Sequence, residues 1–139
     1  MCWGLYLAIP RDVVSLPSPT EAETDEGFFA WPEPNPWVPA AFGEQFSGWI
    51  LGHGRHCSCG CVETTIDQRA ALSEPVRRYL ADIAIAHTPL GFAIHWTSGS
   101  FAAEELPLEL ASWITPTDLK RHDCGAFPTD TMIWVHGSA

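Results

Sequence analysis

Apolar residues along this chain alternate or run together in short stretches, and one stretch alone carries a helical period. Residues 2–9 place Trp3, Leu5, Leu7 and Ile9 on one side of an extended segment and Cys2, Gly4, Tyr6 and Ala8 on the other. Both sides are apolar, which predicts a central strand ended by Pro10. Residues 47–52, Ser-Gly-Trp-Ile-Leu-Gly, predict a second strand. Residues 91–97 predict a third, with Phe92, Ile94 and Trp96 on one side. Residues 108–114 read as a strand with a helix as the competing assignment, and 131–136 as the last strand. The helical period lies between these strands. Val76, Tyr79, Leu80, Ile83 and His87 recur at i, i+3, i+4 and i+7, with Arg77, Arg78 and Asp82 off the stripe. Ser73 is placed to cap this helix, with Glu74 and Pro75 in its first turn. Thr88-Pro89 and Gly91 stop it.

Residues 15–47 break the pattern. Six prolines, Pro17, Pro19, Pro32, Pro34, Pro36 and Pro39, exclude a long helix or a central strand there. Phe28, Phe29, Trp31 and Trp37 are interleaved with them, which predicts a segment wrapped over the core rather than a free linker. Residues 38–46 have room for one short helical turn, 67–71 for a turn or short helix, and Thr115-Pro116-Thr117-Asp118-Leu119 for a capped turn. The resulting fold class is α+β. It is a single domain over residues 1–139, with a small, mostly antiparallel sheet, one main amphipathic helix and a Pro-rich wrap.

Composition adds three constraints. A formal net charge of −10 argues against a nucleic-acid backbone or an anionic membrane as partner, and suits solubility or a basic protein partner. No apolar run reaches membrane-spanning length. The apolar start lacks Lys or Arg before it and any small-residue cleavage site, so a cytoplasmic location is expected. Thiols stay reduced there, and five cysteines, an odd number, weaken a disulfide framework further.

Chemistry concentrates in Gly52-His53-Gly54-Arg55-His56-Cys57-Ser58-Cys59-Gly60-Cys61. Thiolates and imidazoles are the usual ligands of zinc, and thiolates also suit copper(I). The candidate ligands are Cys57, Cys59, Cys61, His53 and His56, joined by Cys2. Zinc sites favour Cys-x2-Cys pairs, whereas these thiols stand two apart and no second pair exists in the chain, so a ligand from elsewhere is required.

The order of motifs resembles an uncharacterised family of small bacterial proteins. Its members share a Met-Cys-x-x-Leu-Tyr start, a strand ending in Gly-Ser-His, a Cys-x-Cys-Gly loop, an amphipathic helix, a strand rich in Trp and Gly, a Thr-Pro-x-Asp-Leu element and a closing strand. The matching pieces here are Met1 to Leu7, Trp49 to His53, Cys57 to Gly60, residues 73–87, Ile94 to Gly99 and Ile114 to Leu119. The resemblance implies that Cys2, Cys57 and Cys59 belong together. It carries no activity, and Cys61 falls where such relatives have an aromatic residue.

Other readings stay open beside the metal site. A thiol near Arg55 and His56 is set up for a lowered pKa and for redox or nucleophilic chemistry. A Cys2 exposed by removal of Met1 would resemble an N-terminal nucleophile hydrolase, although the Arg-Gly and Asn-Gly loops of the glutamine-dependent amidotransferases are missing. Cys-Ser-Cys also resembles the nitrile hydratase metal claw, but Gly54 stands where that motif needs a cysteine. Structurally packed cysteines in a non-enzymatic acidic partner protein of the antitoxin or immunity type form the remaining alternative. His87 is expected in the core. His95 and His136 are expected on faces turned from the most apolar residues, sharing one with Cys2. His122 and Cys124 are expected in an exposed loop. The carboxylates look scattered, with no pair that suggests catalysis.

Overall fold

The computed structural model describes residues 2–17, 27–52, 58, 61–66, 69–97, 100–121 and 127–136, without the side chains of Cys2, residues 63–66 and Leu110. Nine strands and three helices lie among them. The strands are β1 (Cys2–Pro10), β2 (Phe29–Pro32), β3 (Phe46–Gly52), β4 (Val62–Ile66), β5 (Arg69–Leu72), β6 (Leu90–Thr97), β7 (Glu109–Ile114), β8 (Phe127–Pro128) and β9 (Thr131–Val135). The helices are α1 (Trp37–Phe42), α2 (Glu74–Ala86) and α3 (Pro116–Lys120). None is long and apolar enough to cross a membrane.

A six-stranded sheet runs in the order β2-β3-β1-β6-β9-β7, and a three-stranded sheet in the order β4-β5-β8. The assembly is strand-rich α+β. Its pairings are antiparallel except one: β7 runs parallel to β9. The loop 100–108 and the turn before β9 lie at the same end of these strands, and Glu109 N donates to Asp130 O there.

β1 sits inside the large sheet because both of its sides are apolar. Leu5, Leu7 and Ile9 join a core of buried residues with α2 and the small sheet, whereas Tyr6 and Ala8 join a second core with α1 and the 101–106 loop. In α2 the expected stripe of Val76, Tyr79, Leu80 and Ile83 is buried. Arg77 departs from expectation: it lies not off the stripe but buried at 6% exposure. Its guanidinium donates to the carbonyls of Leu72, Leu119 and Arg121. Three carbonyls, two of them at the end of α3, thus supply the polar partners that a helical wheel cannot foresee. His87 ends α2 as its C-cap, half-buried.

The Pro-rich segment is more regular than its composition suggests. Its described part contains β2, at the edge of the sheet, and α1, whose Val38 and Phe42 are buried in the second core. An edge strand needs pairing on one side only, so prolines around it are tolerated. Gly91 allows the approach of α1, since a Cβ there would lie 2.6 Å from the Phe42 ring. Residues 69–72 form β5 rather than a turn or short helix; pairing with β4 and β8 overrides the local preference of Ala70 and Ala71. In α3, Thr115 and Asp118 form a reciprocal capping box that satisfies two orphan N–H groups.

Candidate functional site

The Cys/His loop is anchored where β1 and β3 meet. Leu5 and Leu51 are register partners on these strands. The hydroxyl of Ser58 is inserted between them, accepting from Leu5 N at 2.9 Å and donating to Leu51 O. Ser58 N also donates to Trp3 O at 2.8 Å, and the Ser58 side chain is fully buried. Ser58 is the middle residue of Cys57-Ser58-Cys59, and Trp3 directly follows Cys2. Two hydrogen bonds thus tie the centre of the thiol motif to the strand that begins with Cys2, and a third ties it to β3. The serine was legible only as a spacer between cysteines; its signal is that a short hydroxyl can serve both a donor and an acceptor of the main chain.

Of the expected ligands, Cys61 is the one whose side chain is described. It is fully buried in the first core, with Cys61 N donating to Ser58 O and Cys61 O accepting from Ser73 N. Cys2 pairs with Thr97 in the β1–β6 register, but its side chain lies outside the described set. His53, His56, Cys57 and Cys59 also lie outside it, as do His122 and Cys124. Beside Cys61, the Ser73 hydroxyl at the start of α2 is buried without a hydrogen-bond partner among the described residues. Ser73 therefore occupies the cap position without making the cap bond by its side chain.

A second polar cluster lies on the other side of the sheet. His95, on β6, has Nδ1 at 2.6 Å from Asp130 Oδ1 and Nε2 at 3.0 Å from Glu104 Oε1. The two carboxylates are 26 residues apart in sequence and converge because Asp130 N donates to Ile94 O while the 101–106 loop folds back over the second core. Asp130 adopts φ of 54°, a left-handed conformation that Asp tolerates better than most residues. Beyond the histidine lies Tyr6, buried and pushed up to about 12, chiefly by loss of solvent, while contact with the Thr97 hydroxyl pulls the other way. The Tyr6 ring crosses Gly4, where a Cβ would stand 2.6 Å from it.

The carboxylates are thus not scattered as the sequence suggested: Glu104 and Asp130 clamp one imidazole. The hydrogen bond to the Asp130 carboxylate is the largest influence on His95 and raises its pKa, with Glu104 adding to the effect against a desolvation cost. Both ring nitrogens face carboxylate oxygens, an arrangement that favours the protonated imidazole and clips β6, the loop and the β9 turn together. Among the described residues no group of three or more His, Cys, Asp or Glu is arranged to hold a metal ion.

The clip has a pH signature. A raised pKa means that the folded chain binds the proton more tightly than the unfolded chain. Its stabilisation is complete below the ordinary value of 6.5 and is lost as pH rises through the higher folded-state value. Urea unfolding of the wild type is expected to show this loss as pH rises above the ordinary value of 6.5, and His95→Gln to lack that component. Parallel profiles for the two proteins would remove the clip from the account of stability.

A cleft of about 540 Å³ opens beside the Pro-rich segment, with Arg11, Val13, Pro34, Pro36, Pro39 and Trp49 among its lining residues. Its polar lining is engaged within the fold: Asn35 donates to Phe101 O and Glu104 O, and Ser47 donates to Ile9 O. No family model, curated protein or solved structure matches this chain.

Proposed function

We propose that the chain carries a thiol site built on Cys2, Cys57 and Cys59, which holds zinc or copper(I), with His53 or His56 as the further ligand. The observation that supports it is the triple anchorage of Ser58 to Trp3, Leu5 and Leu51. Ser58 stands between Cys57 and Cys59 in the sequence, and its bonds to Trp3 and Leu5 hold that point of the chain beside the start of β1, which supports a set shared with Cys2. Cys61, packed in the core, serves structure in this reading. Reduced thiols require a reducing compartment, and the cytoplasm provides one. Without metal, the same thiols would form a redox-active pair.

Elemental analysis of untagged protein purified under reducing conditions tests the reading. About one zinc or copper ion per chain is expected, with the site's thiols shielded from titration until a chelator is added. Cys2→Ser, Cys57→Ser and Cys59→Ser should each reduce bound metal at least about tenfold, whereas Cys61→Ser should retain it and lose stability. Substoichiometric metal together with freely titratable thiols would overturn the proposal.

A further inference from the structure

The two edges of the large sheet are unlike. β2 has four residues, ends in Pro32 and is followed by Pro34 and Pro36, features that blunt an edge against pairing. β7, at the opposite edge, has six residues and no proline, and Glu109 is its only charged residue. Its register with β9 determines which way the main chain faces. His136 N donates to Ile114 O, and the pairing continues through Trp113 with Trp134 and Ser112 with Ile133. Ser112 and Ile114 therefore turn their N–H and C=O groups to β9, and Ala111 and Trp113 turn theirs away. Ala111 and Ser112 are exposed, and Trp113 is 52% exposed. The indole is nevertheless fixed, stacked on Trp134 at 5.3 Å and on the His136 ring at 4.4 Å. Trp134 in turn packs on Phe42 and Phe46 of the second core.

We infer that the outer edge of β7, to which no other strand among the described residues pairs, is a docking site for an extended segment of a basic protein partner, which adds to the sheet as a seventh strand. The outward main-chain groups of Ala111 and Trp113 supply the ladder, and the ordered Trp113 ring supplies apolar contact beside it. Charge selects the occupant. Glu105 and Glu109 are exposed at the start of β7 and form no salt bridge among the described residues, and the chain as a whole carries −10. A second copy would bring −10 against −10, whereas a strand with Lys or Arg beside these two carboxylates is attracted.

The test uses the full chain and two synthetic peptides, Lys-Val-Thr-Val-Thr-Lys and Glu-Val-Thr-Val-Thr-Glu, with blocked ends. Two-dimensional NMR titration to about millimolar peptide should shift the amide signals of Ala111 and Trp113 with the lysine peptide. The glutamate peptide should bind at least about tenfold more weakly. Ala111→Pro removes one outward N–H and no bond to β9, so it should abolish the shifts while the remaining spectrum stays native. Glu109→Gln, which leaves the ladder untouched, should weaken the lysine peptide alone. No shift with either peptide, or equal binding of both, would overturn the proposal. So would a concentration-dependent dimer in sedimentation that Ala111→Pro dissolves, because the occupant would then be a second copy.

Discussion

Arg77→Met is expected to cost about 3–5 kcal/mol of folding stability, because two buried carbonyls and one partly buried carbonyl lose their charged hydrogen bonds together. Arg77 is 6% exposed, and the described partners of its guanidinium are three main-chain carbonyls. Leu119 O and Arg121 O lie at the C-terminal end of α3, where carbonyls have no intrahelical partner. Leu72 O closes β5. One side chain of α2 thus completes two other elements. Methionine keeps much of the aliphatic stem but supplies no donor, so two buried acceptors and one partly buried acceptor lose a charged hydrogen bond worth about 1.5–3 kcal/mol each before the structure relaxes. Arg77→Lys retains the charge without the planar fork and should fall between the two. Urea unfolding with an unchanged denaturant slope reads the loss, and hydrogen exchange should quicken first at Leu119 to Arg121. A methionine variant within about 1 kcal/mol of the wild type would show that these carbonyls find water instead.

Arg77 also marks where sequence reading stops. A 3.6-residue period identifies α2 and its stripe because burial of Val76, Tyr79, Leu80 and Ile83 leaves a repeating trace. It assigns Arg77 to the outside because the period records apolarity and carries no information about carbonyls at the end of another helix. The central strands were legible for the same reason as the stripe: β1 is apolar on both sides and lies between β3 and β6. β2, β4 and β5 were not. Each has four or five residues, and each depends on a neighbour for its extended form.

The candidate sites divide in a similar way. The cysteines are conspicuous by spacing, and their need for a distant partner follows from ligand number. The histidine clip left no such trace. Glu104 lies nine residues from His95 and Asp130 lies 35 away. They meet through a loop that folds over one core and a turn with a left-handed residue, and neither step has a period. Parallel pairing of β7 with β9 was equally hidden, because alternation gives the faces of a strand and not the direction of its neighbour.

Ser58→Ala is expected to destabilise the fold by about 2–4 kcal/mol, since it removes the one hydroxyl that serves two buried main-chain groups. In the wild type, Leu5 N and Leu51 O, although register partners, are joined through Ser58 Oγ. Alanine leaves the Ser58 N–H to Trp3 O bond possible but strands the other two groups, each costing about 1–3 kcal/mol when unsatisfied. Closure of β1 on β3 could recover part of this, but the buried neighbours of Leu5 and Leu51 resist a shift. Ser58→Thr, which keeps the hydroxyl, should recover function only so far as its extra methyl fits. Metal binding should weaken together with stability, because the anchor that gathers the thiols is loosened. The two effects separate in a Cys57→Ser, Cys59→Ser background, where the proposed metal site is absent. If Ser58→Ala still costs about 2 kcal/mol there, the hydroxyl bridge itself carries the stability. If the cost vanishes, the bridge matters only through the metal. If the alanine chain keeps both full stability and full metal content, the anchorage of the thiol loop to β1 is not what holds the site together.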